Sequence, residues 1–70
     1  MNIEVGKTYQ FNHSRKGKFV AKVLQVNGPP DDQFLELAIV DGRARYLTQP
    51  DAYEGETITV RASLCTATEL

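Results

Sequence analysis

This 70-residue chain has one cysteine, one histidine, one methionine and no tryptophan. A lone Cys65 cannot close an internal disulfide or build a thiolate zinc cluster. A reducing, cytoplasmic setting is therefore the expected compartment. No apolar run approaches the ~18 residues of a membrane span, and Met1-Asn-Ile-Glu-Val5 lacks the pattern of a secretory signal, so no membrane association is expected. No stretch holds a helical 3.6-residue period, and no internal repeat or low-complexity segment occurs.

The scarcity extends to chemistry. His13 has no nucleophile or carboxylate at a catalytic spacing, and Cys65 has no basic neighbour to activate its thiol. Neither Ser14 nor Ser63 sits in a nucleophile elbow. Asp31 and Asp32 are neighbours with no further ligand nearby, so they read as turn acids rather than a metal pair. The expectation is a protein that is not an enzyme, with no metal and no cofactor.

What is present is a soluble-domain composition, 41% hydrophobic and 24% charged, with a formal net charge of −1. The charge is lopsided. Residues 1–28 carry Lys7, Arg15, Lys16, Lys18 and Lys22 against Glu4, a net of +4. Residues 29–70 carry Arg43, Arg45 and Arg61 against eight carboxylates, a net of −5. At this length one domain is expected, spanning 1–70 with an ordered core near 4–65, and it buries only roughly 60% of its unfolded surface.

Alternation organises the rest. Residues 34–47 read as one β-hairpin turning at Asp41-Gly42, since Gly tolerates the positive φ of a tight hairpin turn. That register sets Ile39 opposite Ala44 and Leu37 opposite Tyr46, all facing the core. A first strand is expected at 5–11, with Val5, Tyr9 and Phe11 on one side. The second, 19–26, is apolar on both sides: Phe19, Ala21 and Val23 on one, Val20, Leu24 and Val26 on the other. A bulge near Val23 or Leu24 in a strongly bent strand would reconcile the two. Residues 27–33 form a loop held by Pro29 and Pro30, Pro50 opens a single helical or 3₁₀ turn that Gly55 closes, and 56–65 form the last strand, with Ile58, Val60, Ala62 and Leu64 inward. The sum is an all-β fold: five strands in a strongly bent antiparallel sheet that closes into a small barrel.

At Gly6-Lys-Thr-Tyr9, at residues 19–26 and at Leu37-Ala-Ile-Val-Asp-Gly42 the chain resembles the SH3-like small-barrel superfamily, and within it the Tudor and KOW modules. The resemblance spans roughly residues 6–47. A Tudor likeness implies an aromatic cage for methylated side chains. That role is not carried over, because Asp41 and Gly42 are adjacent and leave no place for the cage aromatic. A KOW likeness implies contacts with RNA or a transcription complex.

Two surfaces stand out as candidates. The first is the loop at 13–18 with its flanks: His13, Arg15, Lys16, Lys18, Phe19 and Lys22. Lysines and arginines on an exposed tip suit phosphate, Gly17 would let backbone approach an anion, and Phe19 or Tyr53 would supply a stacking ring. The ordinary alternative is a solvated tip that protects a sheet edge. The second candidate is Arg43, Arg45 and Arg61, expected on one outer face, where cross-strand pairing with acids such as Glu36 is the ordinary alternative.

Three functions are weighed. The leading expectation is a non-enzymatic module that binds another protein, or a second copy of itself, through an open barrel edge or the second strand. Next is a module that contacts RNA or DNA through the basic loop. Last is a small oligomeric enzyme with an active site between subunits.

Overall fold

A computed structural model describes residues 3–70. Met1 and Asn2, part of the stretch read as lacking a secretory signal, lie outside the described residues. Five antiparallel strands make one sheet: β1 (Thr8–His13), β2 (Gly17–Asn27), β3 (Phe34–Gly42), β4 (Thr57–Arg61) and β5 (Cys65–Glu69). A 3₁₀ turn, Ala62–Leu64, joins the last two. The order across the sheet is β4-β3-β2-β1-β5, so β4 and β5 are its edges and the hydrogen-bonded ladder is open. No helix among the described residues is long and apolar enough to cross a membrane.

The core follows from alternation. Tyr9, Phe11, Phe19, Ala21, Val23, Leu35, Leu37, Ile39, Ile58 and Val60 are all buried, because side chains two apart in a strand share a face. Phe11 packs edge-on against Tyr9 and stacks with Phe19, with ring centroids 5.9 and 5.8 Å apart.

The apolar two-sidedness of β2 has the expected cause. Its register against β3 shifts between Val20 and Ala21 and again between Val23 and Gln25. At the second shift Leu24 and Gln25 both face outward, and Val26 returns to pack against the core. One extra residue changes the phase of a strand, which is how a bulge turns both faces of one segment to use.

The hairpin expected at 34–47 does not form. Asp41 and Gly42 lie inside β3, opposite Val20 and Phe19. Ile39 pairs with Ala21 rather than Ala44, and Leu37 sits between Val23 and Ile58 rather than opposite Tyr46. The cause is the length of β2: eleven residues, of which the first few need a partner, and β3 runs on to supply it. Gly42 does take a positive φ of 83°, but as a close approach between strands, since a Cβ there would stand 3.3 Å from Phe19 Cα. Ala44 keeps only an isolated bridge to Ala52, and residues 48–55 form no helical turn.

Two further boundaries differ. The first strand begins at Thr8, leaving Val5 exposed. The expected strand at 56–65 breaks at Arg61, because the chain must leave β3 and cross to the opposite edge beside β1. The turn that redirects it is fastened by Ala62 N–H donating to Gln33 O and Ser14 N–H donating to Leu64 O, both 2.9 Å. Leu64 is thereby exposed rather than inward, Ala62 is only half-buried, and Cys65 is buried rather than outward. The fifth strand is β5, which starts at Cys65, the last residue of the expected strand, and runs on to Glu69.

Candidate functional site

The β1–β2 hairpin closes with His13 opposite Gly17. Gly17 adopts a φ of 81°, which lets a three-residue tip reverse the chain without a Cβ clash. His13 is not an exposed ligand: it is 3% exposed. Its Nδ1 accepts from the backbone N–H of Arg15 at 3.0 Å and of Lys16 at 3.1 Å. The ring is thus the internal fastening of the tip that presents those two cations. Burial, then the charges of Lys16 and Arg15, hold its pKa below the ordinary histidine value.

Beyond the tip, the outward residues of three strands form a polar face. Register places Gln10 beside Val20 and Thr68, Asn12 beside Lys18 and Thr66, and Thr8 beside Lys22. Amides, hydroxyls and two ammonium groups share this face, and its positions on β5, β1 and the first half of β2 carry no carboxylate. Lys18 and Lys22, four residues apart, are separated by roughly 13 Å of strand.

The segment after β3 meets the hairpin tip. Arg45 N–H donates to Lys16 O at 3.1 Å, and Ala44 and Ala52 exchange two backbone bonds of 2.9 Å. Asp51 fastens the loop from inside: Oδ1 accepts from Tyr46 N–H at 3.3 Å and Oδ2 lies 3.7 Å from Arg43 Nη1. Between tip and loop opens a groove of about 460 Å³ lined by Arg15, Lys16, Arg45, Tyr46, Leu47 and Asp51. Lys16 Nζ rides 4.8 Å above the Tyr46 ring. The Tyr46 hydroxyl is held above its ordinary pKa by burial and by Glu56.

Ion pairing sorts the cations. Lys7 bridges Glu4 and Glu69, Arg43 pairs with Asp51, and Arg61 lies 3.6 Å from Asp32 and over the Phe34 ring. Arg15, Lys16, Lys18, Lys22 and Arg45 have no carboxylate partner among the described residues. All five belong to the tip, the polar face or the groove.

The candidate residues are thus regrouped. Arg15 and Lys16 come together with Arg45, while Lys18 and Lys22 extend from them along β2. Phe19 is 2% exposed and has no ring face to offer a ligand. Arg61 does not join Arg43 and Arg45: it stands opposite Phe34 at the far end of β3, roughly 26 Å of strand away. The apolar row of Val20, Leu24 and Val26 is divided, with only Leu24 well exposed. Tyr46, Leu47 and Asp51 were missed as site residues because the hairpin reading placed Tyr46 in the core. The available signal was Leu47 itself, the apolar residue after Tyr46 and just before Thr48-Gln-Pro50, where no ladder can continue. Among the described residues no group of His, Cys, Asp and Glu is arranged to hold a metal ion. Cys65 is buried, with its thiol pKa raised by that burial.

The chain matches no family model, no curated protein and no solved structure.

Proposed function

We propose that this protein is a non-enzymatic module that binds nucleic acid along the path Lys22–Lys18–tip–groove, on a small barrel of the SH3-like class. The observation that carries the reading is that the five cations without a carboxylate partner all lie on the tip, on the outward side of β2 or along the groove, even though Asp41 stands opposite Val20 on that side. A net charge of −1 otherwise disfavours a polyanion, so the placement of charge, not its total, supports the contact. The amides and hydroxyls beside Lys18 are further donors for phosphate oxygens. The barrel assignment is supported by the doubly shifted β2, which bends across the sheet, and by the 3₁₀ turn that carries the chain from edge to edge.

The test is fluorescence anisotropy with labelled oligonucleotides at low salt. Four phosphate contacts would give a slope near −3 for a single strand, so raising salt from about 50 to 200 mM lowers affinity roughly fifty-fold. Arg15→Ala/Lys16→Ala/Lys18→Ala, at two exposed positions and the half-buried Lys16, removes the signal while leaving the fold intact by melting curve. No anisotropy change at low salt, or a triple variant that binds as before, refutes the reading.

A protein partner is the second reading, favoured by the unpaired outer backbone of β4 and β5. An edge strand presents donors and acceptors that an added strand can satisfy. Capture of a partner that survives the triple substitution but is lost when Thr59 is replaced by proline would favour it.

A further inference from the structure

We infer that the groove between the hairpin tip and residues 45–51 takes one unpaired nucleotide, so that the ligand is single-stranded rather than duplex. The inference rests on the nucleic-acid reading above and concerns what the groove adds to it. Lys18 and Lys22 lie on a sheet face and could neutralise the phosphates of any strand. The groove differs in kind. It is concave, and its about 460 Å³ falls within the ~300–1,000 Å³ of sites that enclose a small ligand.

Its walls are of two characters, basic and apolar, and the one carboxylate among them, Asp51, is already engaged by Tyr46 N–H and Arg43. Arg15 and Arg45 supply cations without carboxylate partners, while Leu47 is 97% exposed beside the half-buried Tyr46. An aliphatic side chain left almost wholly in water at the mouth of a basic groove has no role in the core, yet it suits a ligand that is apolar on one side and anionic on the other. A nucleotide has that form: a flat base and a phosphate. In a duplex the faces of the base are stacked and hidden, so only an unpaired base can lie against Leu47 and Tyr46. Lys16 completes the site. Its ammonium lies over the Tyr46 ring at 4.8 Å, and rotation of its side chain transfers it to a phosphate while the base takes its place against the ring.

The experiment compares labelled single strands of DNA and of RNA with the duplex of the same sequence, each bound to the full chain at one salt concentration. Single strands are expected to bind at least roughly tenfold more tightly. Leu47→Ser is expected to lower single-strand affinity roughly five- to tenfold through loss of the apolar contact with the base. The same change leaves duplex binding as it was, and the exposure of Leu47 keeps the melting temperature unchanged. Equal affinity for single strands and duplex, or a Leu47→Ser variant that binds single strands like the parent, overturns the inference while leaving a basic surface for polyanions. Failure to bind any oligonucleotide overturns the nucleic-acid reading itself.

Discussion

Removing the His13 side chain should loosen the tip that holds Arg15 and Lys16, and acid should do the same to the intact protein. His13 Nδ1 accepts two backbone N–H groups, so the neutral ring must carry its proton on Nε2. In His13→Ala the shared acceptor of both bonds vanishes and a nearly buried ring leaves a void. Each backbone bond contributes about 1 kcal/mol net, and the two donors sit near solvent that can partly rehydrate them. A total loss of about 2–3 kcal/mol, with the void included, is therefore expected. In a chain this small, that lowers the melting temperature by roughly 10 °C or more.

Protonation works through the same atoms. The folded-state pKa lies below the unfolded value of 6.5, first because the ring is buried and then because Lys16 and Arg15 stand beside it. The unfolded chain thus takes up the proton first. The contribution of His13 is complete above about pH 6.5 and is lost as pH falls through the folded-state value. Melting curves from pH 7.5 to 5, above the main titration of carboxylates, should fall with pH in the parent and stay flatter in His13→Ala. Anisotropy with an oligonucleotide should fall in His13→Ala as well, since the tip is no longer held. Two equally steep pH dependences, or a substitution without effect on stability, would refute the role given to the ring.

Two other expectations concern the scaffold. Gly42→Ala should be more damaging than Gly55→Ala: both demand a positive φ, costing about 1–2 kcal/mol in a residue with a Cβ, but only at Gly42 does the added atom meet a neighbouring strand, at 3.3 Å from Phe19 Cα. Urea unfolding of both variants measures the difference, and equal losses would contradict it. Cys65 should react slowly with a thiol reagent in the native protein and fast in denaturant, because burial raises its pKa and blocks access; rapid native-state labelling would show that β5 opens readily.

Residues 19–26 and 57–61 were legible because each repeats a side-chain pattern that has one physical meaning. Even the bulge at Leu24 could be read, since a strand apolar on both sides must change phase or expose a sticky row. Asp41-Gly42 was not legible in the same way. An Asp-Gly pair reports that the backbone takes a positive φ, and this one does. It does not report whether the chain reverses there or passes close to another strand, and only the length of β2 decides that. The break after Arg61 is hidden for a related reason: a three-residue 3₁₀ turn leaves the alternation of 56–65 intact on paper. The candidate site inherited both errors. Reading 43–47 as a strand puts Arg45 on the outer face with Arg61, which it does not join, and sinks Tyr46 wholly in the core, whereas its ring packs against the core and also lines the groove. Yet the cations of the tip were visible from local composition alone.

The distribution of partners among the cations connects scaffold and site. Arg43 and Arg61 lie near opposite ends of β3, each beside a loop acid, Asp51 and Asp32 respectively. Such exposed pairs contribute little stability individually, commonly under about 1 kcal/mol, so their value lies more in position than in energy. Asp51 illustrates this. By engaging Arg43 and the Tyr46 amide together, it faces the backbone of the groove wall and leaves Arg45 without a counter-charge. If Asp51 instead served to neutralise the groove, its removal would strengthen oligonucleotide binding by relieving repulsion. If it shapes the wall, Asp51→Asn, which can still accept from Tyr46 N–H, leaves binding near that of the parent, and Asp51→Ala weakens it because residues 45–47 lose their anchor. The contrast between the two substitutions, read in one anisotropy series, separates charge from geometry at the position where the acidic half of the chain enters the basic site.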